Sequence, residues 1–157
     1  MGTQEFPYEI IFLFSKATEY GLRATIYIAQ KSTEENKLRL TEIARAINSP
    51  KSYTAKILQL LTKDNRIITS SPGPKGGFYI TEKMKKLPIR AVLEVLGEDE
   101  VLEKCIVGLE HCSDKNPCPM HATYKNIKAQ LIKMFENKSI QSLANEMEKG
   151  KIVIAIS

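Results

Sequence analysis

The stretch from Leu40 to Thr81 decides the fold, and it reads LTEIARAINS-PKSYTAKILQ-LLTKDNRIIT-SSPGPKGGFY-IT. Apolar residues recur at helical spacing in its first part, which predicts a short helix that Thr41 caps and that stops at Asn48. The residues that this helix buries are Ile43, Ala44 and Ile47. The stretch therefore opens with one short helix whose apolar side faces a core.

A second short helix starts directly afterwards. We expect Ser49 to cap it, with Pro50 at the first helical position, which is favourable because proline has no amide hydrogen to leave unpaired. The core stripe of this helix is Ile57, Leu58, Leu60 and Leu61. Two short helices joined by a tight turn indicate a helix-turn-helix.

Two runs rich in β-branched or aromatic residues, 67–69 and 78–81, follow the helix-turn-helix. The residues between them, SSPGPKGG, form a turn by composition, so the segment is a hairpin in the position of a wing. Further helical patterns occur at 15–31, 89–96, 122–137 and 140–147. The predicted fold class is mainly α with a small β-hairpin wing: a winged helix-turn-helix followed by a long C-terminal helix.

The helix-turn-helix and the wing carry a local excess of basic residues, with four lysines and Arg66 against the single acid Asp64 in residues 49–77. In such folds the first turn of the second helix points at base edges, and glycine amides can approach a phosphate closely. The predicted DNA contacts are Lys51, Ser52, Tyr53, Thr54, Lys56, Ser71, Gly73, Lys75, Gly76 and Gly77. Two alternatives stay open, since such a hairpin can be only a solvated turn and some winged helices bind proteins instead.

All three cysteines of the chain lie in one run, Cys105-IVGLEH-Cys112-SDKNP-Cys118-PM-His121. Thiolates gathered on a loop are the ligands that a soft metal or an iron–sulfur cluster requires. Three cysteines leave one position open, and the neutral imidazole of His121 is the nearest candidate. Glu19 is a second candidate, if the first helix of a partner subunit reaches the loop.

Other interpretations of the cysteine run also remain. Structural zinc usually uses two tight ligand pairs, whereas only Cys118 and His121 are close in sequence here. Zinc is therefore possible but not favoured by the spacing. The three cysteines can also be free, partly buried thiols, and His111 could compete as a ligand.

Composition limits the class of protein. The chain has 157 residues and a net charge of +5, which suits one compact domain, or a small domain plus an appendage, and a polyanionic partner. It contains no apolar run of the roughly 20 residues that a membrane span needs. An odd cysteine count fits ligation or redox sensing in a reducing cytoplasm. There is no phosphate-binding glycine motif and no nucleophile–base arrangement, so we predict no enzyme, no catalytic residues and no small-molecule substrate.

Taken together, these residues resemble the Rrf-two family of bacterial winged-helix repressors. The resemblance covers about residues 12–147, and it is carried by Phe14–Thr25, Leu40–Thr62, Ser71–Thr81, and Cys118–Lys125 with the long helix that follows. It implies a homodimer whose long C-terminal helices pack together. It also implies one 2Fe–2S or 4Fe–4S cluster per subunit, held by Cys105, Cys112 and Cys118.

The resemblance leaves the fourth ligand open. In the family's cluster-regulating branch a histidine in the position of His121 is the ligand, and in its nitric-oxide-sensing branch an acid in the position of Glu19 serves from the partner's first helix. We prefer His121, because its local spacing fits without any assumption about the dimer. Pro72 stands where the first branch has a wing arginine, and Ala55 where it has a base-reading acid, so the operator sequence does not transfer.

These expectations divide the chain into four parts. They are an N-terminal extension or cloning remnant (1–11), a winged helix-turn-helix DNA-binding domain (12–86), a cluster-binding loop with dimerisation helices (87–147) and a C-terminal tail (148–157). The resulting hypothesis is a dimeric cytoplasmic transcription regulator that binds a double-stranded DNA operator under the control of an iron–sulfur cluster. The alternatives are a metal-free regulator that senses thiol oxidation and a winged-helix adaptor that binds a protein.

Overall fold

The first helix begins at a side-chain cap. In a computed structural model, which describes residues 14–155, the hydroxyl of Ser15 accepts a hydrogen bond from the amide of Thr18 at 3.3 Å, and α1 spans Lys16–Lys31. This satisfies one of the amide groups that a helix start leaves unpaired. The predicted extension, residues 1–11, lies outside the described residues.

The helix-turn-helix forms α2 (Leu40–Ala46) and α3 (Lys51–Leu61). Both predicted caps are wrong. Thr41 lies inside α2, which starts after Arg39, and Pro50 occupies the N-cap position of α3 in an extended conformation (φ −55°, ψ 140°) instead of its first helical position. In the described structure neither helix has a side-chain cap hydrogen bond at its start.

The core stripe of α3 differs from the predicted one at two positions. Ile57, Leu58 and Leu61 are buried as expected, but the side chain of Leu60 is 44% exposed. Thr54, one turn before Ile57, also faces the core. It is fully buried, and its hydroxyl donates a hydrogen bond to the carbonyl oxygen of Pro50 at 3.0 Å. The reason is helical geometry: at about 100° per residue, positions 54, 57, 58 and 61 fall on one side of the helix, whereas position 60 lies about 110° from the middle of that side.

The wing is a two-stranded antiparallel hairpin of β1 (Thr69–Ser71) and β2 (Gly77–Tyr79), with Ser70 opposite Phe78. Its first strand starts later than predicted, because Ile67 and Ile68 precede it and are buried in the core. Leu38 extends the hairpin by exchanging two backbone hydrogen bonds with Phe78, at 2.8 and 2.9 Å. The linker before α2 therefore fixes the base of the wing.

The remaining helices close the core. They are α4 (Glu82–Lys85), α5 (Ile89–Val95), α6 (His121–Asn137) and α7 (Ile140–Lys149). Helix α5 packs against α1 and α3, and α7 packs along α1. The predicted C-terminal tail begins inside α7, and beyond that helix the carbonyl oxygen of Ile154 accepts a hydrogen bond from Arg23 at 3.2 Å.

The predicted fold class is confirmed by this arrangement of helices around one hairpin. The core is built mainly from apolar residues of α1, α2, α3 and α5, with Ile67, Ile68 and Ile80 from the flanks of the wing. Leu38, Leu102, Phe135 and Ile140 complete it. Within residues 14–155 no helix has the length and apolar character that crossing a bilayer requires.

Candidate metal centre and nucleic-acid interface

The cysteine loop connects α5 to α6 and is anchored at its start. Leu102, in a short 3-10 turn at Asp99–Leu102, is buried in the core just before Cys105. Further along, Ser113 and Asn116 exchange backbone hydrogen bonds at 3.1 and 3.2 Å and form a tight turn. Because Cys112 and Cys118 flank this turn, they are brought together: the amide of Cys118 donates to the Cys112 Sγ atom at 3.4 Å.

The structure gathers the three predicted thiol ligands. The Sγ atoms of Cys105, Cys112 and Cys118 all lie within 4.8 Å of one another, and all three side chains are half-buried. The Cys105 and Cys118 sulfurs are 3.8 Å apart. The Nδ1 atom of His121 lies 3.3 Å from the Cys112 sulfur. The four predicted groups thus form two donor pairs.

The His121 ring is also held on the side that faces away from the thiols. It is the first residue of α6, and its amide donates to the carbonyl oxygen of Cys118 at 3.0 Å. Its Nε2 atom lies 2.9 Å from Oδ1 of Asp114, and Nζ of Lys125 contacts both carboxylate oxygens of Asp114 at 2.9 and 2.8 Å. The imidazole therefore has its Nδ1 side toward the thiols and its Nε2 side toward a carboxylate.

The surroundings of Cys105 and Cys112 shift the pKa values of the two thiols in opposite directions. Backbone hydrogen bonds at Leu109 and Val107 lower the pKa of the Cys105 thiol to about 7. At Cys112 the amide of Cys118 favours the thiolate, but burial and the neighbouring thiols outweigh it, so the pKa of Cys112 is raised. Cys105 is consequently the more nucleophilic of the two near neutral pH.

The two other candidate ligands stand apart from this group. Glu19 lies in the first turn of α1 and is not among the described residues that gather at the cysteine loop. His111 is an exposed residue beside Cys112, and it lines a shallow surface depression with Cys112 and Cys118. Neither forms a hydrogen bond with a thiol of the same chain within residues 14–155. The prediction for Glu19 concerns the first helix of a partner subunit, and it stays a prediction.

The residues of α3 that were predicted to meet DNA separate into three groups. Lys51, Ser52 and Lys56 are exposed. Tyr53 is half-buried, with its ring edge-on to Tyr20 of α1 at 5.6 Å between centroids. Thr54 is buried, as described above, so its side chain does not reach the surface that the lysines form.

The wing glycines have different roles. Gly73 (φ +96°) and Lys75 are exposed residues near the tip of the hairpin. A Cβ atom on Gly76 would lie 2.1 Å from the carbonyl oxygen of Ser71, and one on Gly77 would lie 2.6 Å from that of Leu38. The second pair therefore shapes the hairpin, and Ser71 is half-buried beside it.

A groove runs between the wing and the helix-turn-helix, with a volume of about 370 Å³. Three of the residues predicted to contact DNA, Lys51, Ser71 and Gly73, line this groove. Arg39 and Thr41, which were not predicted as DNA contacts, line it as well. Arg39 also donates a hydrogen bond to the carbonyl oxygen of Pro74 in the wing. Its positive charge directly before the predicted helix-turn-helix was the available signal in the sequence.

Helix α6 carries one apolar stripe with a buried edge and an exposed edge. At the buried edge, Phe135 is 9% exposed and its ring packs edge-on against Phe14 at 5.6 Å between centroids. At the exposed edge, Ile127 and Met134 are 48% and 56% exposed, and Met120 at the N-cap is 55% exposed. With the half-buried Tyr124 and Leu131 between them, they follow alternating steps of four and three residues, the spacing of a coiled-coil seam.

A family model described as "Rrf2: Iron-dependent Transcriptional regulator" matches residues 14–146. The chain belongs to the Rrf2 family. This result confirms the resemblance that the sequence motifs indicated. Rrf2 proteins are DNA-binding winged-helix transcription regulators, so the chain is a regulator and not an enzyme, as predicted.

Two relatives illustrate the range of similarity within the Rrf2 family. An HTH-type transcriptional regulator of Aquifex aeolicus is 30% identical over 139 residues, which covers 87% of this chain and 94% of that protein. The HTH-type transcriptional regulator IscR of Yersinia pestis is 22% identical over 129 residues, covering 82% of this chain and 77% of that protein.

Solved structures with the same fold include two Rrf2-type regulators. CymR, the global cysteine regulator of B. subtilis, matches with a TM-score of 0.66 at 20% identity and covers 85% of this chain and 96% of its own. IscR of T. potens matches with a TM-score of 0.67 at 16% identity, over 88% of this chain and 90% of its own. At these identities the likeness establishes the fold.

Proposed function

We propose that this Rrf2 protein is a homodimeric transcription regulator whose DNA affinity depends on an iron–sulfur cluster bound by Cys105, Cys112, Cys118 and His121. The observation that carries the proposal is the convergence of three thiols within 4.8 Å, with an imidazole nitrogen 3.3 Å from one of them. Soft thiolate donors of this kind select iron–sulfur clusters, zinc or copper over hard cations.

The donor spacing fits such a cluster. Two sulfurs bound to one tetrahedral metal atom at about 2.3 Å lie about 3.8 Å apart, which is the separation of the Cys105 and Cys118 sulfurs. Cys112 and His121 form a second pair at 3.3 Å. When bound, the cluster would supply reversible redox chemistry and a reaction site for oxidants or nitric oxide.

The chain contains a physical route from the loop to the DNA-binding helices. Lys128 of α6 donates to the carbonyl oxygens of Glu103 and Lys104, just before Cys105, at 3.2 and 3.3 Å. Arg90 of α5 contacts the carboxylate of Glu103 at 3.5 Å and also that of Glu136 on α6. Since α5 packs on α1 and α3, a change in loop order would shift the position of α6 relative to the recognition helix.

We assign the DNA interface to the groove between α3 and the wing. Lys51, Lys56 and Lys75 would neutralise phosphates, Ser52 would contact base edges, and the amide of Gly73 would approach the backbone. Arg39 joins this set because it lines the same groove.

Half-sites one helical turn apart require two recognition helices at a fixed spacing, which pairing through the exposed seam of α6 would provide. The partners are therefore double-stranded DNA and a second copy of the chain, in the cytoplasm.

The test is a spectrum of the full-length protein purified without oxygen, together with iron and sulfide analysis. We expect absorbance in the visible region and near-equal iron and sulfide in the wild type, and loss of both in Cys112→Ala. Operator binding measured before and after cluster removal should differ for the wild type and not for the variant. A Cys112→Ala protein that keeps its colour and its regulated binding would overturn the proposal.

A metal-free thiol switch is the second candidate, and the 3.8 Å approach of the Cys105 and Cys118 sulfurs favours it. Small movements would bring these atoms to disulfide distance, and the lowered pKa of Cys105 favours its thiolate as the group that attacks a peroxide. The peroxide is reduced and leaves Cys105 as a sulfenic acid, which the Cys118 thiol then attacks to form the disulfide with release of water. Iron and sulfide absent after reconstitution, with DNA binding that changes on oxidation and recovers with dithiothreitol, would establish this switch instead. Zinc analysis on the same sample separates the third possibility, a structural zinc ion.

A further inference from the structure

Asp114 lies in the turn of the cysteine loop, and its carboxylate accepts hydrogen bonds from two residues of α6. Its Oδ1 atom lies 2.9 Å from Nε2 of His121, and Nζ of Lys125 contacts Oδ1 and Oδ2 at 2.9 and 2.8 Å. His121 and Lys125 are four residues apart, so they lie on one face of the helix. The cysteine loop and α6 are therefore joined through this one carboxylate.

The hydrogen-bond chemistry of this contact selects one form of the imidazole. An ionised carboxylate is an acceptor only, so a hydrogen bond between Asp114 and Nε2 requires the proton on Nε2. In the neutral ring Nδ1 then carries the free lone pair, and this is the atom that lies 3.3 Å from the Cys112 sulfur. The alternative tautomer would carry its proton on Nδ1, which faces the thiols, and its lone pair on Nε2, which faces Asp114.

We propose that Asp114 is a positioning residue that fixes the tautomer and ring orientation of His121, with Nδ1 presented to the thiols, and that Lys125 holds Asp114 in place. The proposal extends the proposed function by assigning the ligating nitrogen. It concerns residues outside the set of cysteine and histidine ligands. Partners of this kind tune the affinity of metal sites by about 10- to 100-fold when they are removed.

The first test uses nitrogen NMR of the imidazole in reduced, metal-free, full-length protein. We expect His121 of the wild type to be the Nε2–H tautomer, assigned by comparison with His121→Gln. In Asp114→Ala the two tautomers of His121 should both be populated. In Lys125→Met the fraction of the Nε2–H tautomer should lie between the wild-type value and the Asp114→Ala value. Glu110→Gln is the matched control: it removes the same charge from the same loop, and Glu110 has no hydrogen bond to another described residue. A wild-type ring protonated on Nδ1, or an unchanged ring in Asp114→Ala, would overturn the proposal.

The second test uses Co²⁺ alone as a spectroscopic probe of thiolate ligation in the same metal-free protein. Asp114→Ala should weaken Co²⁺ binding by about 10- to 100-fold and Glu110→Gln should not. The loss should vanish in a His121→Gln background, since the two residues would act as one unit. An equal loss in both backgrounds would mean that Asp114 acts through the fold of the loop, which contradicts the positioning role. If no iron–sulfur cluster can be reconstituted but the tautomer result holds, the proposed function fails while the role of Asp114 stands.

Discussion

Single residues on α3 show how helical position separates structural from DNA-facing side chains. Thr54 and Lys51 are three residues apart, yet Thr54 is buried and bonded to Pro50, whereas Lys51 is exposed and lines the groove beside the wing. Lys56 is exposed as well, and Leu60 continues the outward surface toward the end of the helix. The exposed lysines are therefore the positions at which substitution should change DNA affinity without disturbing the core.

We expect Lys51→Ala to weaken DNA binding similarly for all sequences. Removing one phosphate contact lowers the slope of log affinity against log salt by about one unit. Lys149→Ala, an exposed lysine at the end of α7, is the matched control and should leave the slope unchanged. Fluorescence anisotropy with a labelled duplex at several salt concentrations measures both. A slope that is identical in wild type and Lys51→Ala would exclude the phosphate role.

The thiols of the metal-free protein should react in a defined order. Because the pKa of Cys105 is lowered to about 7 and that of Cys112 is raised, half of Cys105 is thiolate near pH 7 while Cys112 stays protonated. Alkylation by iodoacetamide between pH 6 and 9, read by peptide mass spectrometry, should modify Cys105 first, with a midpoint near pH 7. Faster modification of Cys112 at neutral pH would contradict this assignment.

At the scale of elements, the wing depends on close backbone packing. Gly76 has no room for a side chain, because its Cβ would collide with the carbonyl oxygen of Ser71 at 2.1 Å. Gly73 has open space, but its φ of +96° is one that residues with a side chain rarely adopt. The two glycines are thus required for different reasons, one for space and one for backbone conformation.

We expect Gly76→Ala to open the hairpin, since a backbone atom cannot move aside as a flexible side chain can. The cost should be about 1–3 kcal/mol or more, as for other overpacked sites. Gly73→Ala should cost about 1 kcal/mol through its φ alone. Amide hydrogen exchange at Ser71 and Gly77, with urea unfolding of both variants, measures the difference. Equal protection of these amides in Gly76→Ala and wild type would show that the hairpin tolerates the methyl group.

At the scale of the whole molecule, the apolar stripe of α6 has a buried edge and an exposed edge. Phe135 closes the core against Phe14, while Ile127 and Met134 remain about half exposed in the isolated chain. Exposed apolar residues at coiled-coil spacing mark a surface for pairing with another helix. Because the cysteine loop leads directly into this helix, the same element would join the metal centre and the dimer.

We expect Ile127→Glu to separate the dimer into folded monomers, because a carboxylate would be buried in the seam between the two α6 helices. Phe135→Ala should instead lower the free energy of unfolding by about 3–5 kcal/mol, because it leaves a cavity in the core, and it should leave the dimer intact. Sedimentation velocity and urea unfolding distinguish the two. An Ile127→Glu protein that sediments as the wild type does would exclude this face as the dimer surface.

The sequence by itself determined the features that depend on local chemistry. Ser15 and Ser139 stand at the starts of two predicted helical patterns and cap the helices there, since a hydroxyl at a helix start can reach the amide three residues on. The apolar periodicity located the helix-turn-helix, and turn composition located the wing. The spacing of three cysteines and His121 identified the loop that gathers them, because all four lie within one short segment.

Tertiary structure decided which side of each element faces the core. Thr54 points inward and Leu60 outward because α3 packs against α1 and α2, a choice that depends on distant residues. The contact of Arg39 with the wing joins parts of the chain 35 residues apart. The link from Asp114 to His121 and Lys125 exists only because a turn folds the loop back onto α6. Such contacts form between segments that local pattern describes separately, so only the folded chain reveals them.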